Sequence, residues 1–184
     1  MNPDYEVKES PRARALRITV YPSGKVVVTK PTRVSERALK AFVQERTEWI
    51  EITLAHALKR RGGLPHIELP NPRKGSRAYL DAVALARALA HERLQHFNTL
   101  YKSTHGSISI RNQKTRWGSC TAKNNLSFNY KIAFLPEHLA DYIIVHELCH
   151  TIEHNHSERF WAQVERAVPK HKEFRKELRT RYEL

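Results

Sequence analysis

Between Leu126 and Phe134 an apolar side chain falls on every second residue, at Leu126, Phe128, Tyr130, Ile132 and Phe134, which is the period of a strand with one buried face. Ile108 and Ile110 repeat that spacing, and TAKNN, residues 121 to 125, has the composition of a turn, so the pattern predicts an antiparallel ribbon. Earlier in the chain, RALRITVYPSGKVVVT, residues 14 to 29, places β-branched runs on both sides of Pro22-Ser23-Gly24, the signature of a hairpin. From Ser35 to about Arg61 the spacing becomes helical, with Leu39, Phe42, Val43, Trp49, Ile50 and Leu54 available for one stripe and Ser35 placed to cap it. A second long helix is predicted from about Arg77 to Tyr101, rich in Ala and Leu. Pro136 suits a first helical turn and Glu137 suits its positive end, and DYIIVHELCH continues that helix. In SERFWAQVERAV, Phe160, Val164 and Val168 share a face, and Phe174, Leu178 and Tyr182 do the same in the C-terminal segment.

These elements make an α+β protein with long helices and a small antiparallel sheet, preceded by a small lobe of β-hairpin plus helix. GGLPHIELPNPRKGS, residues 62 to 76, holds three Gly and three Pro and is the best linker. The expected division is 1–62 for the N-terminal lobe and 63–184 for the larger domain. The chain shows no internal repeat and no low-complexity tract.

With 184 residues and 40% hydrophobic content, the chain has enough apolar material for one core of catalytic size. No apolar run approaches the roughly 20 residues needed to cross a bilayer, and MNPDYEVKES has no apolar segment of the kind a signal peptide needs. A membrane partner is therefore not expected. Cys120 and Cys149 are the two cysteines, which fits a reducing, cytoplasmic location better than a disulfide framework. The net charge is +13, and it is unevenly spread. From Ser10 to Ser35, and again from Lys102 to Lys131, there are six Lys or Arg and no Asp or Glu. Such stretches either keep a surface solvated or attract a polyanion, a nucleic acid among them.

The densest chemistry lies in VHELCHTIEHNHSERFW, Val145 to Trp161. Residues four apart on a helix sit about 40° apart around its axis, so His146 and His150 project from one face and can share an ion. Glu147 lies beside them where it can reach a water at that ion, the general-base arrangement of H-E-x-x-H metallohydrolases. A catalytic zinc takes three protein ligands and leaves one position open, and His154 and His156 both compete for the third place. Three ligands along one straight helix would span about 12 Å, too far for one ion. His156 is the better choice, provided the chain reverses near Asn155, by a left-handed turn or by Asn155 capping a new helix with Glu158 three residues on. The spacing also fits H-E-x-x-H-x-x-G-x-x-H, yet Glu153 occupies the glycine position and Met1 is the only methionine, so the metzincin Met-turn is missing.

RWGSC at Arg116 to Cys120, HELCH and then NHSERFW, in this order and with these separations, resemble the YgjP-like family, which is grouped with SprT-like and WLM-type zinc metallopeptidases. ITVYPSGKVVV and Trp49-Ile50 resemble its N-terminal half, so the likeness runs from about Arg14 to Leu184. It implies a zincin-like domain with one zinc per chain, His146, His150 and His156 as ligands, and Glu147 as catalytic base. The function expected first is a metallopeptidase acting on a peptide or protein. The alternatives are a metal-dependent hydrolase of a nucleotide phosphoanhydride, which the acid-free basic stretch would serve, and a nucleic-acid-binding module with a structural zinc. Substrate contacts are expected from Lys114, Arg116, Asn129 and Tyr130, and Trp117 and Trp161 are expected to be core anchors.

Overall fold

In the computed structural model, which describes residues 4–21, 23–61, 65–182 and 184, Val26, Val28, Leu39, Val43 and Ile50 close into one apolar cluster. They come from β3 (Val26–Lys30), α1 (Glu36–Gln44) and α2 (Thr47–Arg61). β1 (Glu6–Glu9) and β2 (Arg17–Val20) flank β3, the first parallel and the second antiparallel. The β2–β3 hairpin closes through Tyr21 N–H to Lys25 O, with Gly24 at φ 88°, a conformation that needs glycine. Pro22 of the expected turn and Gly62 to Leu64 of the expected linker lie outside the described residues, as does the expected boundary at 62/63. By packing, residues 1–67 with 179–183 form one compact unit, and residues 68–178 with 184 form another.

The single helix expected from Ser35 to Arg61 is two helices. Ser35 caps α1 as expected, its Oγ accepting from Ala38 N–H, but the helix stops at Gln44 and restarts at Thr47. The interruption resets the helical phase. Ile50 is fully buried while Trp49 is half exposed, so Trp49 does not join the stripe with Leu39 and Val43. At the end of β3, Lys30 is nearly inaccessible and satisfies its ammonium with Glu9, at 2.6 Å, Glu36, at 3.3 Å, and the Val34 carbonyl.

The second unit is built on α3 (Arg77–Tyr101), whose buried face is Ala82, Ala86, Ala90 and Leu94. Small residues at every fourth position let other backbone come close. What comes close is α4 (Glu137–Cys149) and a 3₁₀ turn over Tyr130–Phe134. α3 and α4 are tied by Arg93, which donates to both carboxylate oxygens of Asp141 and lies 3.5 Å from Glu137. α5 (Glu158–Ala167) and α6 (His171–Arg181) follow.

The sheet of this unit is mixed, in the order β4-β6-β5, with β4 at Ile108–Arg111, β5 at Gly118–Cys120 and β6 at Leu126–Asn129. TAKNN is the hairpin turn that the sequence predicts, between β5 and β6, and Asn124 takes φ 57° there, a conformation asparagine tolerates. Ile108 and Ile110, however, pair with β6 in parallel, on the edge opposite the one that β5 occupies. The period-2 pattern also overruns the strand. At Asn129 the side chain accepts from Lys131 N–H and starts the 3₁₀ turn. Tyr130, Lys131 and Ile132 are all buried there, so alternation no longer separates an inside from an outside. None of the described helices is long and apolar enough to cross a membrane.

Candidate metal centre

α4 is apolar on nearly every side, with Leu139, Ala140, Ile143, Ile144, Val145 and Leu148 all buried, which is why it runs through the interior of its unit. It ends at Cys149 and His150 is its C-cap. His154 is therefore not on the same helix. The reversal that brings the next histidine back is made by Ser157, which caps α5 by accepting from Phe160 N–H, and by Asn155 Oδ1, which accepts from Ser157 N–H. Asn155 is not among the residues at positive φ, so of the two turn chemistries expected at this position, neither the left-handed turn nor the Asn155 cap is used.

The result is that His146, His150 and His156 each offer a ring nitrogen within 4.8 Å of the others. Nε2 of His146 and Nε2 of His156 are 3.1 Å apart. Ligand atoms at 2.0–2.1 Å from a tetrahedral zinc stand about 3.3 Å apart, so the His146–His156 pair has that spacing and the three-imidazole donor set suits one such ion. His150 is oriented from behind, its Nδ1 lying 3.1 Å from the Glu153 carbonyl. A proton held on Nδ1 leaves Nε2 as the free donor atom. Phe160 stacks on His150 with ring centroids 4.4 Å apart, and contacts the other two rings at 4.8 and 4.9 Å. Exposed His154 lies outside the cluster.

Burial keeps these rings neutral, the state that binds metal. His146 is held down to about 3, first by desolvation and then by His150 and His156 beside it, with Arg175 and His171 adding to the effect. His150 and His156 are also lowered, each chiefly by burial. Glu147 moves the other way, pushed up to about 8 by loss of solvent, with Arg116 opposing.

Glu147 is held by β5. A methyl group on Gly118 would lie 2.5 Å from Glu147 Cγ, 2.7 Å from Oε1 and 2.8 Å from Cδ, so the strand backbone passes against this carboxylate only because Gly118 has no side chain. Arg116, exposed, stands two residues earlier in the chain. Lys114 is exposed too. Asn129 and Tyr130, expected at the substrate, are fully buried and otherwise engaged. Asn129 donates to the Gln113 and Arg116 carbonyls at 2.7 and 3.4 Å, and the Tyr130 hydroxyl donates to Asn71 Oδ1 at 3.1 Å. Asn129 thereby shapes the loop that carries Lys114 and Arg116, while Tyr130 ties the 3₁₀ turn to the segment before α3.

Sequence reasoning placed Trp161 in the core, but its half-buried indole sits 5.7 Å from the His156 ring and 5.8 Å from His146. His171 stacks on it at 5.2 Å, and Arg175 Cζ lies 5.2 Å over its ring. His171 and Arg175 carried no sequence signal beyond one helical turn of separation; only the placement of α6 brings them here.

The family model described as YgjP-like, metallopeptidase domain, matches residues 14–79 and 65–181. None of the curated proteins matches the chain. Among solved structures, the metallopeptidase zymogen of Pyrococcus abyssi abylysin is similar over 52% of this chain and 99% of its own, at 24% identity and a TM-score of 0.47, a likeness too partial to carry an argument about chemistry. The family match extends over most of the sequence, N-terminal hairpin included, and the chain belongs to the YgjP-like metallopeptidase-domain family.

Proposed function

We propose that the protein is a zinc metallopeptidase in which His146, His150 and His156 hold one zinc ion and Glu147 is the general base. The observation that carries this reading is the convergence of three neutral imidazoles, at a spacing that suits tetrahedral zinc, with a buried carboxylate in the same turn of α4. Zinc, when bound, supplies Lewis acidity toward a carbonyl, water of lowered pKa, and positive charge that draws the raised pKa of Glu147 back down.

Glu147 takes one proton from the attacking water as its oxygen bonds to the scissile carbon. The same carboxyl then delivers that proton to the departing amine nitrogen as the C–N bond breaks. Gly118 keeps the carboxylate from turning toward the sheet. Among the described residues β5 pairs with β6 alone, so its other edge is the one that would align an extended peptide by main-chain hydrogen bonds. Lys114 and Arg116 stand in the loop before that edge, where they contact substrate. The two free cysteines agree with a reducing compartment, and the cytoplasm is the proposed location.

Elemental mass spectrometry on protein purified without added metal tests the site, together with hydrolysis of a peptide library by the parent and by Glu147→Gln. Near one zinc per chain in both, with hydrolysis in the variant reduced by about 10²-fold or more, supports the reading. Unchanged turnover in Glu147→Gln removes Glu147 from the mechanism, and a parent without bound zinc removes the metal centre.

A further inference from the structure

Arg175 lies on α6, one turn beyond His171, and is held near the three histidines by an aromatic ring instead of a carboxylate. Its guanidinium sits 5.2 Å over the indole of Trp161, and that indole contacts both His146 and His156. Among the described residues no ion pair includes Arg175, and its side chain is exposed. Burial lowers His146, His156 and His171 first, and the Arg175 charge adds to that, while at Tyr142 it opposes a rise caused by burial.

A fixed positive charge beside a cluster that fits a cation weakens the cluster's hold on that cation, unless an anion comes between the two. No acidic side chain among the described residues pairs with this guanidinium, which leaves it open to an anionic group of the substrate. A guanidinium is a flat fork of five donors that matches a carboxylate in two-point contact, and stacking on an indole fixes that fork in place. Arg116, beside Glu147, adds a second positive group at the other functional residue of the site.

We propose that Arg175 is a specificity-determining residue that receives a substrate carboxylate next to the scissile bond, so that the site selects acidic peptides over neutral ones. The proposal rests on the metallopeptidase reading above.

The test uses phosphinic pseudopeptides, which engage zinc and extend to both sides of it, measured by calorimetry on the zinc-loaded protein. One carries Glu on the amino side of the phosphinate, one carries Glu on the carboxyl side, and one carries Gln at both places. The parent is expected to bind one Glu compound at least about tenfold more tightly than the Gln compound. Arg175→Met should erase that preference, binding its Glu and Gln compounds alike, and Arg175→Lys should keep part of it. Zinc content and melting temperature of both variants separate a role in recognition from one in bracing Trp161. A parent with no preference for either Glu compound overturns the proposal, as does a preference that survives in Arg175→Met. If Arg175→Met does not fold, full preference in Arg175→Lys at high salt counts against a charge contact and overturns it as well. If none of the three compounds binds with zinc present, the metallopeptidase reading fails, and the role of Arg175 fails with it.

Discussion

Substituting Gly118 by alanine tests how tightly Glu147, the proposed general base, is positioned. The backbone at Gly118 is not at positive φ, unlike Gly24 and Gly75, so alanine meets no conformational strain and gains about 0.4–1 kcal/mol from the lower entropy of the unfolded chain. Against that stands a methyl group at 2.5, 2.7 and 2.8 Å from three atoms of one side chain. Glu147 is 7% exposed, so it cannot swing into solvent to make room. Overpacking of this kind costs about 1–3 kcal/mol, and the net expectation is a loss of roughly 1–2 kcal/mol in denaturant unfolding of the metal-free protein. The cost should vanish on a Glu147→Ala background, because all three contacted atoms are then gone, and a double-mutant cycle reads the coupling directly. In the zinc-loaded enzyme a carboxylate displaced by about 1 Å lowers kcat/KM by about 10²-fold, with zinc content unchanged because none of the imidazoles is touched. Gly118→Ala with parental stability and turnover, or an equal penalty on both backgrounds, would refute the claim that β5 fixes Glu147.

Three further outcomes are expected. His156→Ala should lower zinc content well below that of His154→Ala, because only His156 lies in the cluster; elemental analysis of the two purified variants decides it, and the reverse order would put His154 in the third place. In metal-free Glu147→Gln protein, which lacks the opposing stabilisation that the raised Glu147 carboxyl gains as pH falls, stability should fall as pH drops from about 6.5 toward 3, since His146 binds its proton in the unfolded chain but not when buried; at pH 5 this amounts to about 2 kcal/mol, and a flat melting temperature of that variant between pH 7 and 5 counts against it. Arg93→Ala leaves Asp141, with 15% of its side chain exposed, without its partner, and should cost roughly 3 kcal/mol in chemical unfolding; a shift below about 1 kcal/mol would mean that the pair acts as a surface ion pair.

The elements that hydrophobic spacing predicted best are those whose boundaries are set within a few residues. Ser35 and Ser76 cap helices from their own side chains, and the β5–β6 turn is local chemistry at Asn124. The helix under HELCH, and the convergence of His146 with His150, follow from a spacing of four. What spacing could not reveal is pairing between distant segments. Nothing in Ile108 or Ile110 says that β5 will take one edge of β6 and that β4 will pair with the other in parallel. The break between α1 and α2 escaped for a related reason, because Glu45 and Arg46 have no helix-breaking character.

The same division runs through the site. His146, His150 and Glu147 lie in one turn of one helix, so their geometry is a property of the sequence. His156 needed a reversal whose place was legible but whose device was not, since Ser157 does what Asn155 was expected to do. Gly118, Trp161, His171 and Arg175 enter from β5, α5 and α6, and each matters through a contact with a residue outside its own segment. A missing side chain at Gly118 has no hydropathy to read, and its effect exists only because the Glu147 carboxylate fills that space. Arg175 reads in the sequence as one more charge on a basic, amphipathic helix. Its guanidinium becomes chemically distinct only where Trp161, itself drawn to the imidazoles, gives it a face to rest on. The residues proposed to hold the ion are therefore specified locally, while those proposed to aim the base and choose the substrate are specified by packing.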